Sequence, residues 1–152
     1  MKKLIYLLVI TIIFAACASK KDYIVTGSIE GGVEGGIVYL SFVEKGSFVN
    51  IDSSVIKNGV FTFKGRQDTV VNCYVRSKEK VGNTNRKLYG DFFLENGEIN
   101  IIITTKGSTV SGTPNNDAYQ AIRNEMYELQ KNLASVPKEE QMKEFDKIFT
   151  GV

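Results

Sequence analysis

The 152-residue sequence contains no histidine. Histidine is the commonest general base of enzyme active sites and the commonest metal ligand in proteins. Its absence excludes the serine and cysteine triads, zinc sites of the carbonic-anhydrase type and the histidine–glutamate motifs of zinc proteases. The sequence therefore lacks a residue that these easily recognised classes of enzyme require.

Cysteine is nearly as scarce, with only Cys17 and Cys73. Cys17 follows a segment typical of exported lipoproteins, in which two lysines precede the apolar run Leu4–Ala16 and small residues precede the cysteine. This run is shorter than the ~20 residues of a membrane-spanning helix. We predict a signal peptide over residues 1–16 and a lipidated Cys17 as the first residue of the mature protein. The alternatives are an ordinary signal peptide cut after Ala16 and a short uncleaved anchor.

If Cys17 carries lipid, Cys73 is the one remaining thiol and the mature chain cannot form an intramolecular disulfide. Cys73 lies in the strand-like run Val70–Val75. Buried free cysteine usually behaves as a small, unreactive apolar residue. We therefore predict an inert Cys73, and the alternative is redox chemistry at an accessible thiol.

An excess of basic residues is also missing from the mature chain. Residues 1–16 hold two of the 19 lysines and arginines and none of the 17 acids, so the mature chain carries 17 of each sign. Nucleic-acid-binding domains usually carry a basic face. We therefore expect no nucleic-acid partner, and the 136 mature residues suffice for a single domain.

Residues 23–113 have the pattern of an all-β domain that follows a polar tether over residues 17–22. Asn58-Gly59 lies between two strand-like runs and predicts a β-hairpin with a tight type I′ turn, and Glu95-Asn96-Gly97 repeats this hairpin signal. The run from Val49 to Ile56 alternates with a period of two, which predicts a strand with at least one buried face. We predict about eight strands, arranged as an antiparallel β-sandwich or a partly open barrel. The predicted strands are Tyr23–Ile29, Ile37–Val43, Val49–Ile56, Val60–Phe63, Val70–Ser77, Leu88–Leu94, Ile99–Thr104 and Thr109–Gly112.

The pattern changes to a helical one in residues 114–152, where we predict two C-terminal helices that pack on the sheet. Asn115 and Asn116 are suitable caps for the first helix. Its apolar stripe is predicted to face the sheet and contains Ala118, Ile122, Met126, Leu129 and Leu133. The second helix starts near Val136-Pro137, and its apolar face is a candidate surface for a protein partner or a homodimer. That face contains Met142, Phe145, Ile148 and Phe149.

Other motifs are weak. The glycine-rich segment Gly31–Gly36 lacks the lysine of a phosphate-binding loop, and it predicts a hairpin loop. Ser54 and Lys57, and also Ser77 and Lys80, have a Ser-x-x-Lys spacing that carries chemistry only on a helix. The acids form no calcium-loop pattern, although Asp52 is placed to stabilise a neighbouring backbone amide. We therefore predict no catalytic residue, no metal and no cofactor.

The aromatic residues of the strands are predicted mainly to pack in the core. An exposed subset would stack on a sugar or a peptide. The residues concerned are Tyr39, Phe42, Phe61, Phe63, Tyr74, Tyr89, Phe92 and Phe93.

The strands and turns contain a set of short motifs at Thr26–Ile29, Val38–Leu40, Ile51–Val55, Asn58–Gly65, Phe93–Gly97 and Val110–Thr113. As a set they resemble a domain of unknown function found at the N-terminus of thioredoxin-like, thiol-disulfide interchange lipoproteins of Bacteroidetes. The resemblance runs from about Tyr23 to Leu133 and implies a β-rich fold and a location in the cell envelope. It does not imply redox activity, because no residue matches the Cys-x-x-Cys motif of the thioredoxin domain.

We therefore expect a non-catalytic accessory or binding module that is lipid-anchored to the outer membrane, on its periplasmic or surface side. The chain is either free-standing or the part of a longer protein that precedes a thioredoxin-like domain. The alternatives are a component of a thiol-disulfide oxidoreductase and a lipoprotein that binds carbohydrate or peptide.

Overall fold

A computed structural model describes residues 22–80 and 87–134, together with the single positions 137, 140, 142, 143, 147, 148 and 151. The predicted signal peptide and Cys17 lie outside the described residues. The elements are β1 (Tyr23–Ile29), β2 (Ile37–Glu44), β3 (Ser47–Val55), β4 (Phe61–Gly65), β5 (Val71–Ser77), β6 (Tyr89–Leu94), β7 (Gly97–Thr104), β8 (Gly107–Ser111) and helix α1 (Pro114–Ala134).

The eight strands form two four-stranded sheets that pack face to face as a sandwich. The first sheet has the order β4-β1-β7-β8, and the second sheet has the order β3-β2-β5-β6. One hydrophobic core fills the space between them, with side chains from both sheets. In β7, for example, Ile99, Ile101 and Ile103 are buried while Ile102 is exposed. This period of two is the reason why the strands could be predicted from sequence.

The expectation of a purely antiparallel sandwich is wrong at the centre of the first sheet. Strand β1 pairs with β7 in parallel, from Tyr23 opposite Gly97 to Ile29 opposite Ile103. The other strand pairs are antiparallel. A period of two reports which side chains are buried but not the direction of the neighbouring strand, so the sequence pattern could not distinguish the two arrangements.

The Asn58-Gly59 turn is confirmed, and both residues have positive φ angles, of 52° and 76°. The flanking Lys57 and Val60 exchange backbone hydrogen bonds of 2.8 and 3.0 Å. The hairpin predicted around this turn is wrong, because the turn joins β3 of the second sheet to β4 of the first. It therefore carries the chain from one layer of the sandwich to the other.

Two other predicted hairpins are wrong for the same reason. The Gly31–Gly36 segment connects β1 of the first sheet to β2 of the second, and Glu95-Asn96-Gly97 connects β6 of the second sheet to β7 of the first. The side chain of Asn96 bridges to another loop, since its amide oxygen accepts from the Gln67 nitrogen at 2.9 Å and its amide nitrogen donates to the Gln67 oxygen. Turn chemistry identified these reversals but not the layer into which each one leads.

Strand β3 differs from its predicted burial. It is an edge strand of the second sheet, and most of its side chains are exposed, including Ile51 and Val55. A β-bulge opposite β2, between Leu40 and Ser41, interrupts the alternation. Bulges are common on edge strands, where they increase the local twist.

Helix α1 begins at Pro114 and follows Thr113, whose carbonyl oxygen accepts the first helical hydrogen bond from Asp117. The predicted caps Asn115 and Asn116 therefore lie inside the first turn. The carboxylate of Glu95 accepts from the Asn115 backbone nitrogen at 3.0 Å. An acid at this end is favourable, because the first N–H groups of a helix have no partner within it.

The face that α1 turns towards the sandwich is polar, contrary to the prediction. Ile122 and Met126 are 59% and 53% exposed, Ala118 is exposed, and the leucines at 129 and 133 are half-buried. The helix lies across the adjacent edges of β6 and β8. A strand edge offers unpaired N–H and C=O groups, so polar side chains fit it better than apolar ones. The side chains that meet these edges are Asn116, Tyr119, Gln120 and Arg123.

The second predicted C-terminal helix is not confirmed. Phe145 and Phe149 lie outside the described residues. Met142 and Ile148 are 73% and 48% exposed. The partner-binding face therefore stays a prediction.

Candidate functional site

The outer surface of the second sheet carries a cluster of rings and cations. In β5, Cys73, Val75 and Ser77 are buried, so Tyr74 and Arg76 point outwards. In β6, the burial of Gly90, Phe92 and Leu94 likewise turns Tyr89, Asp91 and Phe93 outwards. The register then sets Arg76 opposite Tyr89 and Tyr74 opposite Asp91. We name the outward-facing set Phe48, Tyr74, Arg76 and Tyr89 the aromatic face.

Phe48 reaches this face from the edge strand β3. Its ring centroid lies 5.2 Å from that of Tyr74, with the ring planes at 81°. The guanidinium carbon of Arg76 lies 4.0 Å from the Phe48 centroid. Edge-to-face ring pairs and cation–π contacts each contribute about 0.5–1 kcal/mol at partly exposed sites. These contacts fix the positions of Phe48 and Arg76 relative to each other.

Arg76 is also held from below by two polar side chains. Its Nε donates to Ser41 Oγ at 3.3 Å, and its Nη2 donates to Asn50 Oδ1 at 3.0 Å. Ser41 Oγ in turn donates to Asn50 Oδ1 at 2.9 Å. The guanidinium is therefore oriented before any ligand arrives, which lowers the entropy cost of binding.

Two open grooves lie on either side of Tyr89, which is 60% exposed. The first groove has a volume of about 390 Å³, and the second groove has about 310 Å³. Residues 87–89 line both grooves, and the Ser77 hydroxyl holds this segment in place by accepting a hydrogen bond from the Leu88 backbone nitrogen at 3.0 Å. The first groove is lined by Phe48, Tyr74, Arg76, Ser77, Lys87, Leu88 and Tyr89. The second groove is lined by residues 87–89, 91, 104–108 and 123.

The charge around Tyr89 is mainly positive. Arg76 and Lys87 line the first groove, and no acid is among its described lining residues. Asp91 is the one acid among the described residues that line the second groove. It accepts a hydrogen bond from the Tyr119 hydroxyl and lies 3.6 Å from Nη1 of Arg123. The negative charge of Asp91 is therefore already partnered.

Burial, together with the hydrogen bond to Asp91, raises the pKa of Tyr119. Its ring meets that of Phe93 edge to face, with centroids 5.3 Å apart. Tyr119 therefore stays protonated at neutral pH and connects helix α1 to the second sheet. It contacts Asp91 and Phe93 and lines neither groove.

Cys73 is buried as predicted, with 1% of its surface exposed. Burial raises its pKa to about 11. The thiolate is the reactive form of cysteine, so a thiol with this pKa and this burial is unreactive at neutral pH.

The weaker motifs have structural roles. The hydroxyl of Ser54 accepts from the Thr62 nitrogen at 3.2 Å, and that of Ser77 accepts from Leu88. Asp52 accepts from the backbone nitrogen of Ser53 at 2.7 Å, as predicted. Within residues 22–80 and 87–134, no cluster of acids and cysteine is arranged to hold a metal ion. No helix in the described part of the chain has the length and hydropathy of a membrane span.

The aromatic face contains both predicted and unpredicted residues. Tyr74 and Tyr89 were among the strand aromatics, whereas Phe48, Arg76 and Lys87 were not singled out. Phe48 follows the turn at Lys45-Gly46, whose residues have φ angles of 49° and 77°. The position of Gly46 between two apolar runs is the sequence signal from which this turn could have been predicted.

The fold and its outer face define a class: a two-layer β-sandwich with an exposed aromatic and cationic surface and an edge-covering helix. Residues 23–119 match the family described as a domain of unknown function (DUF4369), and the chain belongs to this family. The match covers all eight strands and the first part of α1, with Asn116 and Tyr119.

No curated protein sequence matches the chain. Among solved structures, the crystal structure of (S)-allantoin synthase is similar with a TM-score of 0.42 and 9% identity. The similarity covers 69% of this chain and 48% of that one, so the chain spans about half of that protein's length. A TM-score at this level carries no argument about function.

Proposed function

We propose that the protein is a lipid-anchored, non-catalytic binding module of the cell envelope that holds its ligand on the aromatic face. The observation that carries this proposal is the combination of exposed rings with an oriented cation. Tyr89 and Phe48 are 60% and 45% exposed, and Arg76 is held by Ser41 and Asn50. Large exposed side chains beside an ordered charge are typical of binding sites.

The location in the envelope is supported by the N-terminal sequence. The apolar run before Cys17 has the pattern of a lipoprotein signal peptide, which supports a lipid anchor and a location at the outer membrane. The sequence resemblance to a domain that precedes thioredoxin-like domains supports an accessory role beside a redox partner. A redox role for this chain itself is disfavoured, because Cys73 is buried and protonated.

The lipid anchor is tested by metabolic labelling with palmitate. The natural sequence should incorporate label and fractionate with membranes, and Cys17→Ala should do neither. Equal labelling of the two proteins would contradict the anchor.

The binding role is tested on an array of envelope glycans and peptides with the full chain. Ligands that bind the natural sequence should be lost with the double variant of Phe48→Ala and Tyr89→Ala. The matched control is Ile102→Ala, because Ile102 is an apolar side chain of similar exposure, 54%, on the first sheet. If every ligand is retained by the double variant, the aromatic face is not the binding site.

A further inference from the structure

We infer that the ligand of the aromatic face is an anionic oligosaccharide, with a sugar ring on Tyr89 and its carboxylate or sulfate between Arg76 and Lys87. This inference rests on the proposed binding function and assigns its ligand class. It follows from the charge and shape of the first groove.

The charge of the first groove favours an anionic ligand. Two cations and three rings line it without an acid among its described residues. The ion pairs within the described residues are Arg123–Asp91 and Lys131–Glu128, so neither Arg76 nor Lys87 is paired with a carboxylate there. Arginine presents a planar fork that matches the geometry of an oxyanion. Arg76 and Lys87 therefore give the first groove a positive charge that an anionic group of a ligand would neutralise.

The rings of the groove call for a flat, partly apolar ligand. One face of the Phe48 ring is occupied by Arg76 at 4.0 Å, and its neighbour Tyr74 meets it edge-on. Tyr89 stands more exposed, between the two grooves. A ring in this position can pack against the C–H face of a sugar while the hydroxyl groups remain in contact with water. The groove volume of about 390 Å³ lies within the range of small-ligand sites.

Other classes of ligand fit less well. A peptide that adds a strand along β6 meets Asn116, whose side chain occupies both the N–H and the C=O of Phe93. Nucleic-acid binders neutralise several phosphates at once, and this groove offers two unpaired cations. A lipid chain needs an enclosed apolar cavity, whereas both grooves are open.

The test is a calorimetric titration of the full chain in non-ionic detergent with four probes of similar length. Tetragalacturonic acid carries carboxylates, a κ-carrageenan tetrasaccharide carries sulfates, cellotetraose is neutral, and oligothymidylate is the nucleic-acid probe. We expect one or both anionic saccharides to bind and the other two probes to fail. Binding of one alone assigns carboxylate or sulfate as the recognised group.

Variants assign the binding to the groove. Tyr89→Ala should raise the dissociation constant about tenfold, because the ring is lost. Tyr89→Phe keeps the ring and should change the dissociation constant by no more than about twofold. Lys87→Gln should raise the dissociation constant about threefold. Lys57→Gln, in the turn between the sheets, should leave it unchanged. Should Tyr89→Ala fail to fold, the two lysine variants decide the question.

Failure of the inference is distinguishable from failure of the proposed function. Equal binding of cellotetraose, lost with Tyr89→Ala, overturns the anionic ligand and keeps the binding face. Binding of oligothymidylate, or of array peptides alone, with the same dependence on Tyr89 also overturns the saccharide and keeps the face. Binding of any probe that is unchanged by Tyr89→Ala and Lys87→Gln overturns both. So does the absence of all binding in the titration and on the array.

Discussion

Replacing Asn116 with alanine is expected to destabilise the protein by about 3 kcal/mol. The side chain is fully buried and makes three hydrogen bonds, which link it to both backbone groups of Phe93 and to the Thr113 hydroxyl. Each bond contributes about 1 kcal/mol net, so the loss of all three costs about 3 kcal/mol. The melting temperature should fall by about 10 °C for a domain of this size.

Urea unfolding measures this change directly. The midpoint should fall for Asn116→Ala with little change in the m-value, since the native state remains compact. The matched control is Asn115→Ala at the neighbouring position. Its exposed side-chain amide bonds, among the described residues, to the Glu95 carboxylate at 2.7 Å, and its loss should cost less than about 1 kcal/mol. If the two variants differ by less than about 0.5 kcal/mol, Asn116 does not fasten α1 to the sandwich as described.

Three further predictions concern the core and the C-terminal segment. Gly27→Ala should cost more than about 2 kcal/mol in urea unfolding, because its Cβ would lie 2.4 Å from the Ile101 carbonyl oxygen; wild-type stability would contradict this packing. Cys73 should react with a thiol reagent at pH 8 only after denaturation, and fast labelling of the native protein would refute its burial. Its raised pKa, about 11 against an unfolded value near 9, means that the folded form keeps a proton that the unfolded form loses. Stability should therefore fall as the pH rises from 9 to 11, and this contribution should vanish in Cys73→Ala. If the C-terminal face pairs two copies, size-exclusion chromatography should show a dimer that dissociates in Phe145→Asp and Ile148→Asp, whereas a monomer that tolerates both changes would contradict it.

Local features of the fold were predictable from sequence where one residue or one short pattern decides the outcome. The isoleucine-rich run from Ile99 to Thr104, which follows a turn signal, identified β7. Asn58-Gly59 identified a type I′ turn, because few other pairs adopt positive φ at both positions. The setting of Cys73 between valines and aromatics identified a core thiol.

The arrangement of the layers was not predictable in the same way. Asn96-Gly97 has the chemistry of a hairpin, yet the strands on either side belong to different sheets. That choice depends on contacts between distant segments, such as the pairing of Asn96 with Gln67. Long-range packing also decides that β1 lies parallel to β7.

The candidate site was predictable only in part. Tyr74 and Tyr89 lie in strand patterns, but burial alone decides which aromatics face the core and which face water. Phe48 and Arg76 come together because the β2–β3 turn brings the edge strand back along the sheet. Helix α1 shows the same limit, since its apolar stripe at Ile122 and Met126 is exposed and its polar face is the one that packs.

The amide of Asn116 also limits how copies of this domain can assemble. A fibril built by strand addition needs two unpaired edge strands on the same sheet. One edge pairs with the preceding copy, and the other edge pairs with the next copy. In the second sheet, Asn116 occupies the end at β6 by bonding to both backbone groups of Phe93. Two copies could still pair through their β3 edges, but neither could then add a third copy to this sheet through β6. Neighbouring copies of the domain therefore cannot polymerise by strand addition through this sheet.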